Sequence, residues 1–220
     1  KETFDLSGFE ITDDHKFMSY GVDETGNEKY TLKIIDIETK KELDHTIPEL
    51  TYCNYFWHDN NKFIFYCLGD STNRIYQVWK YEFATKSHTK LYENDNELVN
   101  VGITTSDDEK YFFISADSFD TGDVYYFTME DQTLKQFTPK IEGVLYNVDY
   151  HEGKFFIVTN KDNSRNFKIM TTSLENTSVE NWKDFIPYDE NKFILGIVTL
   201  KNYILILYKE NGDKFINVIS

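Results

Sequence analysis

Dense runs of apolar side chains recur along this chain at nearly constant spacing. Five such runs, each preceded by a short polar stretch, begin at positions 17, 63, 111, 155 and 203, which are 44 to 48 residues apart. A second series of apolar runs begins at positions 30, 77, 124, 167 and 214, with spacings of 43 to 47 residues. Two independent series with one period indicate an internal repeat.

Each repeat has the same order of elements. A first predicted strand, such as 52–57 or 146–150, leads through a polar turn such as HDNNK or TSDDEK into the apolar second strand. A longer loop containing Asp, Asn, Gly or Ser precedes the third strand, and a weaker fourth strand such as KELDHTI closes the unit. Four antiparallel strands in every 40–50 residues or so are typical of a β-propeller blade.

The predicted fold class is therefore all-β, a β-propeller of four-stranded antiparallel blades in one segment, 1–220. About five blades are expected in this chain, over 7–47, 50–93, 97–139, 144–187 and 192–220, the last of them incomplete. Because the middle strands of a blade pack on both faces, we expect the large side chains to lie between blades; examples are Trp79, Phe83, Tyr126 and Phe127. A β-sandwich is also built of short strands but does not require a repeat, so it is the alternative.

Three segments at the edges of this pattern have their own predictions. Residues 1–6 are interpreted as a fourth strand with no blade before it, and residues 215–219 as a third strand with no fourth after it. Either the chain is part of a larger propeller, or residues 1–6 pair with the last strand and close a small ring. The segment 173–186 is the one possible helix, although Asn181 and Trp182 fit a turn that leads into a fourth strand.

The charge, hydropathy and cysteine content of the chain argue against several classes of protein. The net charge of −15, from 23 basic and 38 acidic residues, argues against nucleic acid, which needs basic patches. No run of about 18 apolar residues is present, so we expect no membrane span, and we expect a cytoplasmic location. Cys53 and Cys67 are too few for a disulfide scaffold and are predicted to be free, buried thiols.

The sequence contains no recognisable catalytic motif. It lacks a G-x-S-x-G elbow, a dinucleotide-binding glycine pattern and an H-E-x-x-H pair, and its five histidines are scattered. The acidic stretches 93–97 and 160–163 are interpreted as solvated loops, because a Ca²⁺ site needs six or more placed oxygens. We therefore predict no cofactor, no metal and no catalytic residue in this chain.

Several ordered segments nevertheless resemble a known family. They are NRIYQVWKYEF at 73–83 and the stretches 18–40, 91–118, 147–170 and 180–196, which together extend over nearly the whole chain. They are similar to the prolyl oligopeptidase family of serine peptidases, in particular to its oligopeptidase B members. The resemblance implies a seven-bladed propeller joined to an α/β-hydrolase domain with a Ser-Asp-His triad, in an enzyme that cleaves peptides after Arg or Lys.

In that family the propeller covers the active site and admits peptides but not folded proteins. The present chain matches only the middle of the propeller, so alone it is not expected to be a peptidase. The implied partners are the catalytic α/β-hydrolase domain of the same polypeptide and short basic peptides. The alternative is a non-enzymatic propeller that binds other proteins, although the Trp-Asp dipeptides and paired glycines of the common interaction propellers are missing.

The resemblance also implies which surface is functional. Loops between second and third strands, at 21–29, 69–76, 117–123 and 160–166, correspond to the face that meets the catalytic domain. The first three are acidic, and we hypothesise that they attract Arg and Lys peptides; their carboxylates are Asp23, Glu24, Glu28, Asp70, Asp117, Asp120 and Asp123. Glu28 corresponds to an interdomain ionic contact, with a solvated carboxylate as the alternative. Tyr52 corresponds to an aromatic residue that lines peptide subsites, but ordinary core packing is the interpretation that we favour for it.

Overall fold

The computed structural model describes residues 3–59 and 61–220. The chain divides into two compact units, Lys1–Ile103 and Thr104–Ser220, called unit 1 and unit 2 below. Regular structure in the described residues is β-strand apart from one short 3-10 turn, Val179–Asn181. The predicted all-β class is confirmed.

Unit 1 contains one antiparallel sheet of seven strands that are neighbours in sequence order. The strands are β1 (Asp5–Ile11), β2 (Phe17–Asp23), β3 (Lys29–Asp36), β4 (Lys41–His58), β5 (Phe63–Gly69), β6 (Ile75–Glu82) and β7 (Ser87–Glu93). Strand β4 has 18 residues and belongs to two sets of four strands. Its first part pairs with β3 and its last part pairs with β5, so one continuous strand ends the first set and begins the second.

The prediction that residues 1–6 form a fourth strand with no blade before it is wrong for the part that is described. Asp5 and Leu6 begin β1, which pairs with β2 from Asp5 opposite Asp23 to Ile11 opposite Met18. A bulge at residues 7–10, where Gly8 has φ of 61°, interrupts the apolar pattern of this strand and hid it in the sequence. Residues 1 and 2 lie outside the described part of the chain.

The strands that follow form three further antiparallel sheets. The first has the order β11-β10-β9-β8 and consists of β8 (Asn100–Thr105), β9 (Tyr111–Asp117), β10 (Val124–Thr128) and β11 (Lys135–Gln136). The second consists of β12 (Tyr146–His151), β13 (Lys154–Thr159), β14 (Lys168–Ser173) and β15 (Lys183–Ile186), in that order. The third has three strands, β16 (Lys192–Leu200), β17 (Tyr203–Glu210) and β18 (Asp213–Ile219).

Two local predictions for unit 2 are confirmed by these sheets. Strand β18 is the third strand of its sheet, as predicted for 215–219. The segment 173–186 is not a helix, because its short 3-10 turn ends at Asn181 and β15 begins at Lys183 and pairs with β14.

The sequence repeat is matched by repeated hydrogen bonds. In the turn before β2, the Thr12 hydroxyl donates to Asp14 (2.9 Å) and accepts the backbone N–H of Phe17 (3.1 Å). In the turn before β9, Ser106 makes the same two bonds, to Asp108 (2.8 Å) and from Tyr111 (3.1 Å). Residues with the same side-chain chemistry thus build the same reversal two repeats apart.

Each unit has its own apolar core. In unit 1 the fully buried side chains include Leu32, Ile34 and Ile64, and the predicted packing residues Trp79 and Phe83 lie against them. In unit 2, Phe127 is buried and Tyr126 packs against a cluster that surrounds Phe155. Cys53 and Cys67 are free and buried, as predicted. No helix in the described residues is long and apolar enough to cross a membrane.

Candidate functional site

Three loops of unit 1 and one segment of β4 lie together and are called the unit 1 loop cluster below; the loops are 23–28, 69–74 and 94–99, and the segment of β4 is 49–53. The Asn73 amide donates to the carbonyl of Asn27 (3.0 Å), and the Tyr52 N–H donates to the carbonyl of Glu28 (3.1 Å). Three sequence-predicted residues of this unit, Glu28, Tyr52 and Asp70, therefore lie in connected segments of this cluster.

Two aspartates of this cluster bind their own loops. Asp23 accepts the N–H groups of Thr25 and Gly26 (both 2.8 Å) and that of Glu28 (2.8 Å). Burial opposes ionisation of Asp23, but these donors outweigh it and lower the pKa of its carboxyl group. Asp23 is 2% exposed, so it shapes the loop rather than facing solvent.

Asp70 has the same role in the next repeat. It accepts the hydroxyl and N–H of Thr72 (2.7 and 2.8 Å) and the Arg74 Nε group (2.9 Å). Hydrogen bonds from Thr72, followed by that from Arg74, lower the pKa of Asp70 to about 2. The carboxylate is already occupied by donors within its own loop, so it has little capacity left for a ligand.

Glu24 and Glu28 differ from these aspartates because both side chains are exposed. Glu28 has φ of 62°, a conformation stabilised by the bond from its N–H to Asp23. These two glutamates are therefore the carboxylates of loop 21–29 that are available to a partner.

Arg74 is the residue of this cluster that sequence reasoning missed. Its side chain is 12% exposed, and its Nη1 group donates to the carbonyls of Asn94 (3.2 Å), Asn96 (3.0 Å) and Val99 (2.8 Å). Because Nε binds Asp70, Arg74 joins loop 69–74 to loop 94–99. The spacing Asp70-x-Thr72 predicts the turn that holds Arg74, since short polar side chains two residues apart commonly build such turns, but it does not predict the contacts of Arg74 with loop 94–99.

Tyr52 lies at a cleft of about 430 Å³ within unit 1. The cleft is lined by polar groups that include Asn73, Arg74, Glu97 and Asn100. Tyr52 has φ of 54° and is 54% exposed, so core packing does not describe its position. Its role at a peptide subsite stays a prediction.

Tyr52→Ala is expected to change the free energy of unfolding by no more than about 0.5 kcal/mol, because the side chain is mostly exposed. The matched control is Tyr66→Ala, at a side chain that is 3% exposed, where we expect a loss of about 3 kcal/mol or more. Urea unfolding of both variants measures the difference. A loss above about 2 kcal/mol for Tyr52→Ala would contradict this placement.

Loop 117–123 of unit 2 carries the other three predicted residues. Asp117 is half-buried, and its Oδ1 atom is covered and has no hydrogen-bond partner among the described residues. Burial, with a smaller contribution from the Asp123 carboxylate, raises the pKa of Asp117 to about 6, although hydrogen bonds from the Asp123 N–H and the Ser115 side chain oppose this shift. At neutral pH this carboxylate is thus held in an unfavourable environment.

Asp120 and Asp123 have different surroundings in the same loop. Asp123 accepts the Tyr125 hydroxyl (3.1 Å) and the Gln136 amide (3.1 and 3.2 Å), so it ties the loop to β10 and β11. Asp120 is exposed at the tip and accepts the Thr121 hydroxyl (3.0 Å). Asp120 is therefore the carboxylate of this loop that faces solvent.

The fourth predicted loop, 160–166, is not an acidic surface. Its Asp162 accepts the ammonium groups of Lys161 (2.7 Å) and Lys168 (3.0 Å), which lower the pKa of its carboxyl group. Lys168 also pairs with Asp184 (2.9 Å) and is 6% exposed. These contacts join the loop to β14 and β15.

The residues 3–59 and 61–220 contain no group of three His, Cys, Asp or Glu side chains that could hold a metal ion.

Comparison with known proteins identifies the family of this architecture. All of residues 1–220 match the model of the prolyl oligopeptidase N-terminal β-propeller domain. The chain is 23% identical over 224 residues to dipeptidyl aminopeptidase BI of Pseudoxanthomonas mexicana. This alignment covers 100% of the present chain and 31% of the relative. It is 24% identical over 207 residues to Protease 2 of Moraxella lacunata, covering 92% of this chain and 30% of the relative.

A solved structure has the same fold. Oligopeptidase B from Leishmania major superposes with a TM-score of 0.89 at 22% identity, over 98% of this chain and 31% of that protein. The chain thus spans about three tenths of the length of its relatives. The predicted β-propeller of mostly four-stranded antiparallel sheets and the predicted resemblance are both confirmed. The chain belongs to the prolyl oligopeptidase family and corresponds to the N-terminal β-propeller domain of that family.

Proposed function

We propose that this chain is the substrate-gating domain of a serine oligopeptidase that cleaves peptides after Arg or Lys. The observation that carries the proposal is the match of all 220 residues to a propeller domain whose named relatives are peptidases. In this proposal the catalytic residues belong to an α/β-hydrolase domain of the same polypeptide. The present chain controls which peptides reach the active site of that domain.

The exposed carboxylates support the proposed preference for basic peptides. Of the acidic residues predicted to face substrate, Glu24 and Glu28 in unit 1 and Asp120 in unit 2 have exposed side chains. The net charge of −15 adds a long-range attraction for cationic peptides. Because exposed charges are screened over about 10 Å at 0.1 M salt, these residues are expected to increase association rather than to fix affinity.

The test is a triple charge reversal, Glu24→Lys, Glu28→Lys and Asp120→Lys, in the polypeptide that joins this chain to its catalytic domain. We expect kcat/KM for an arginyl peptide to fall about tenfold at low salt, and the loss to shrink at 0.5 M salt. A peptide of the same length with a neutral residue in place of arginine should show little change.

A matched control reverses three exposed acidic residues at the opposite ends of the strands, namely Asp13, Glu38 and Glu175. This control carries the same change of net charge and should retain most of the activity. If both triple variants lose kcat/KM for the arginyl peptide equally, the effect comes from net charge alone and not from the position of the carboxylates. Absence of arginyl peptide cleavage by the parent polypeptide would refute the proposed peptidase activity itself.

A further inference from the structure

Three loops of the repeat begin with an aspartate at the same position, and the third loop differs from the other two. Asp23, Asp70 and Asp117 are each 47 residues apart and each follow or end a second strand. In the first two loops, a threonine two positions later donates both its N–H and its hydroxyl to the aspartate. Phe119 occupies that position in the third loop, so Asp117 lacks both donors.

Without the two threonine donors, the Asp117 carboxylate keeps hydrogen bonds from the Asp123 N–H and the Ser115 side chain, but one of its oxygens has no partner. The Oδ1 atom of Asp117 is covered and has no hydrogen-bond partner in the described residues. Gly122 lies directly against it, since a Cβ atom built at this glycine would be 2.9 Å from Oδ1. A covered carboxylate oxygen without a donor is unfavourable when ionised and much less so when the group is protonated.

Charges around Asp117 increase this preference for the neutral form. The titratable groups that face it are Asp123, before β10, and Tyr146, in β12. The Asp123 carboxylate repels the ionised form of Asp117. Burial raises the pKa of Tyr146, so its phenol stays neutral and contributes no positive charge that would stabilise ionised Asp117. Within residues 3–59 and 61–220, no lysine, arginine or histidine forms an ion pair with Asp117.

The loop has a fixed part and a free part. Its C-terminal end is bound to the segment that precedes β12. The Gly143 N–H donates to Thr121 Oγ1 (3.1 Å), and the Gly122 N–H donates to the Val144 carbonyl (2.9 Å). The tip is closed by hydrogen bonds within residues 118–121, between Ser118 and Thr121 and from both of their hydroxyls to the Asp120 carboxylate. Phe119 at this tip is 99% exposed, so no packing holds it in place.

We propose that loop 117–123 is a proton-sensitive latch. When Asp117 carries a proton the tip closes over the carboxyl group, and when Asp117 is ionised the tip opens, so that water reaches Oδ1 and Phe119 moves with the tip. The inference concerns this loop alone and does not depend on the proposed peptidase role.

The direction of the effect follows from the two states of the carboxyl group. In the closed loop the pKa of Asp117 is about 6, and in an open, hydrated loop it approaches the ordinary value of about 3.9. The proton therefore stabilises closure fully at low pH, and this stabilisation is lost as the pH rises through about 6. Closure at pH 7.5 should be weaker than at pH 4.5 by tenfold or more.

The experiment is amide hydrogen exchange of the chain between pH 4.5 and 7.5, with rates corrected for intrinsic exchange. We expect protection of residues 118–122 to fall at least about tenfold over this range. Loops 23–28 and 69–74 are internal controls, because Asp23 and Asp70 retain their threonine donors. Protection in these two loops should not follow the same curve.

Two variants remove the switch by different routes. Asp117→Asn cannot ionise, and Phe119→Thr restores the Asp-x-Thr pattern of the other loops; in each, protection of 118–122 should be independent of pH. If one variant fails to fold, the other still tests the proposal. Asp213→Asn, at an exposed position in β18, is the control that should keep the pH dependence. Protection that is constant with pH in the parent chain, or a fall that persists in the folded variants, would overturn the proposal.

Discussion

Phe155→Ala is expected to lower the free energy of unfolding by about 3–5 kcal/mol, the largest stability effect of any substitution considered for unit 2. Phe155 lies in β13 and is completely buried. Its ring meets five aromatic rings at centroid distances of 5.2 to 6.0 Å, those of Tyr111, Phe113, Tyr126, Phe137 and Tyr150. Because these rings belong to several strands, they cannot all move into the cavity, and the lost edge-to-face contacts add to the loss.

Denaturant unfolding followed by tryptophan fluorescence measures this effect, since Trp182 belongs to the same apolar cluster. The matched control is Phe215→Ala in β18, where the side chain is 42% exposed and the expected loss is below about 1 kcal/mol. A loss below about 1.5 kcal/mol for Phe155→Ala would mean that the cluster relaxes into the space, contrary to our expectation.

Arg74→Met is expected to lower the free energy of unfolding by about 2–4 kcal/mol, although it changes a loop rather than a core. Methionine keeps much of the volume but removes the donors that reach three carbonyls and Asp70. Arg74→Lys keeps the charge but not the planar fork, so it should recover only part of the loss. Hydrogen exchange at residues 94–99 should rise in both variants, because that loop loses its attachment.

The control for Arg74 is Lys86→Met, which breaks an exposed ion pair with Asp44 (2.8 Å) and should cost no more than about 0.5 kcal/mol. A dependence on pH provides a second check. The pKa of Asp70 is lowered to about 2, so the stabilisation from its ionised form is present above pH of about 4 and is lost as the pH falls toward 2. The difference between the parent chain and Arg74→Met should therefore narrow below about pH 3. A constant difference would show that the carboxylate takes no part.

Much of the fold could be predicted from the sequence because the middle strands are apolar on both faces. The run FIFYCL predicted β5, and YFFISA predicted β9, to within a residue or two. Strand β1 was misassigned because Gly8 and Phe9, between the paired residues Ser7 and Glu10, form a bulge that interrupts its alternation. A bulge depends on the register with the partner strand, and that register is not visible in one strand alone.

The candidate site was predictable as a set of loops but not as individual roles. Asp23 and Glu24 are neighbours of the same charge, yet the first is buried and bonded to its own loop and the second is exposed. The pattern Asp-x-Thr, present at residues 23–25 and 70–72, would have distinguished such structural aspartates once the repeat was recognised. Arg74 binds carbonyls twenty or more residues away, and a long-range contact of this kind has no local signature.

Strand β4 extends without interruption from the first set of four strands in unit 1 to the second. Force applied to one set is therefore transmitted directly along a covalent backbone to the other, with no slack linker between them to absorb it. A protease that cuts β4 between Glu49 and Cys53, where the backbone twists through positive φ angles, would weaken both sets at once.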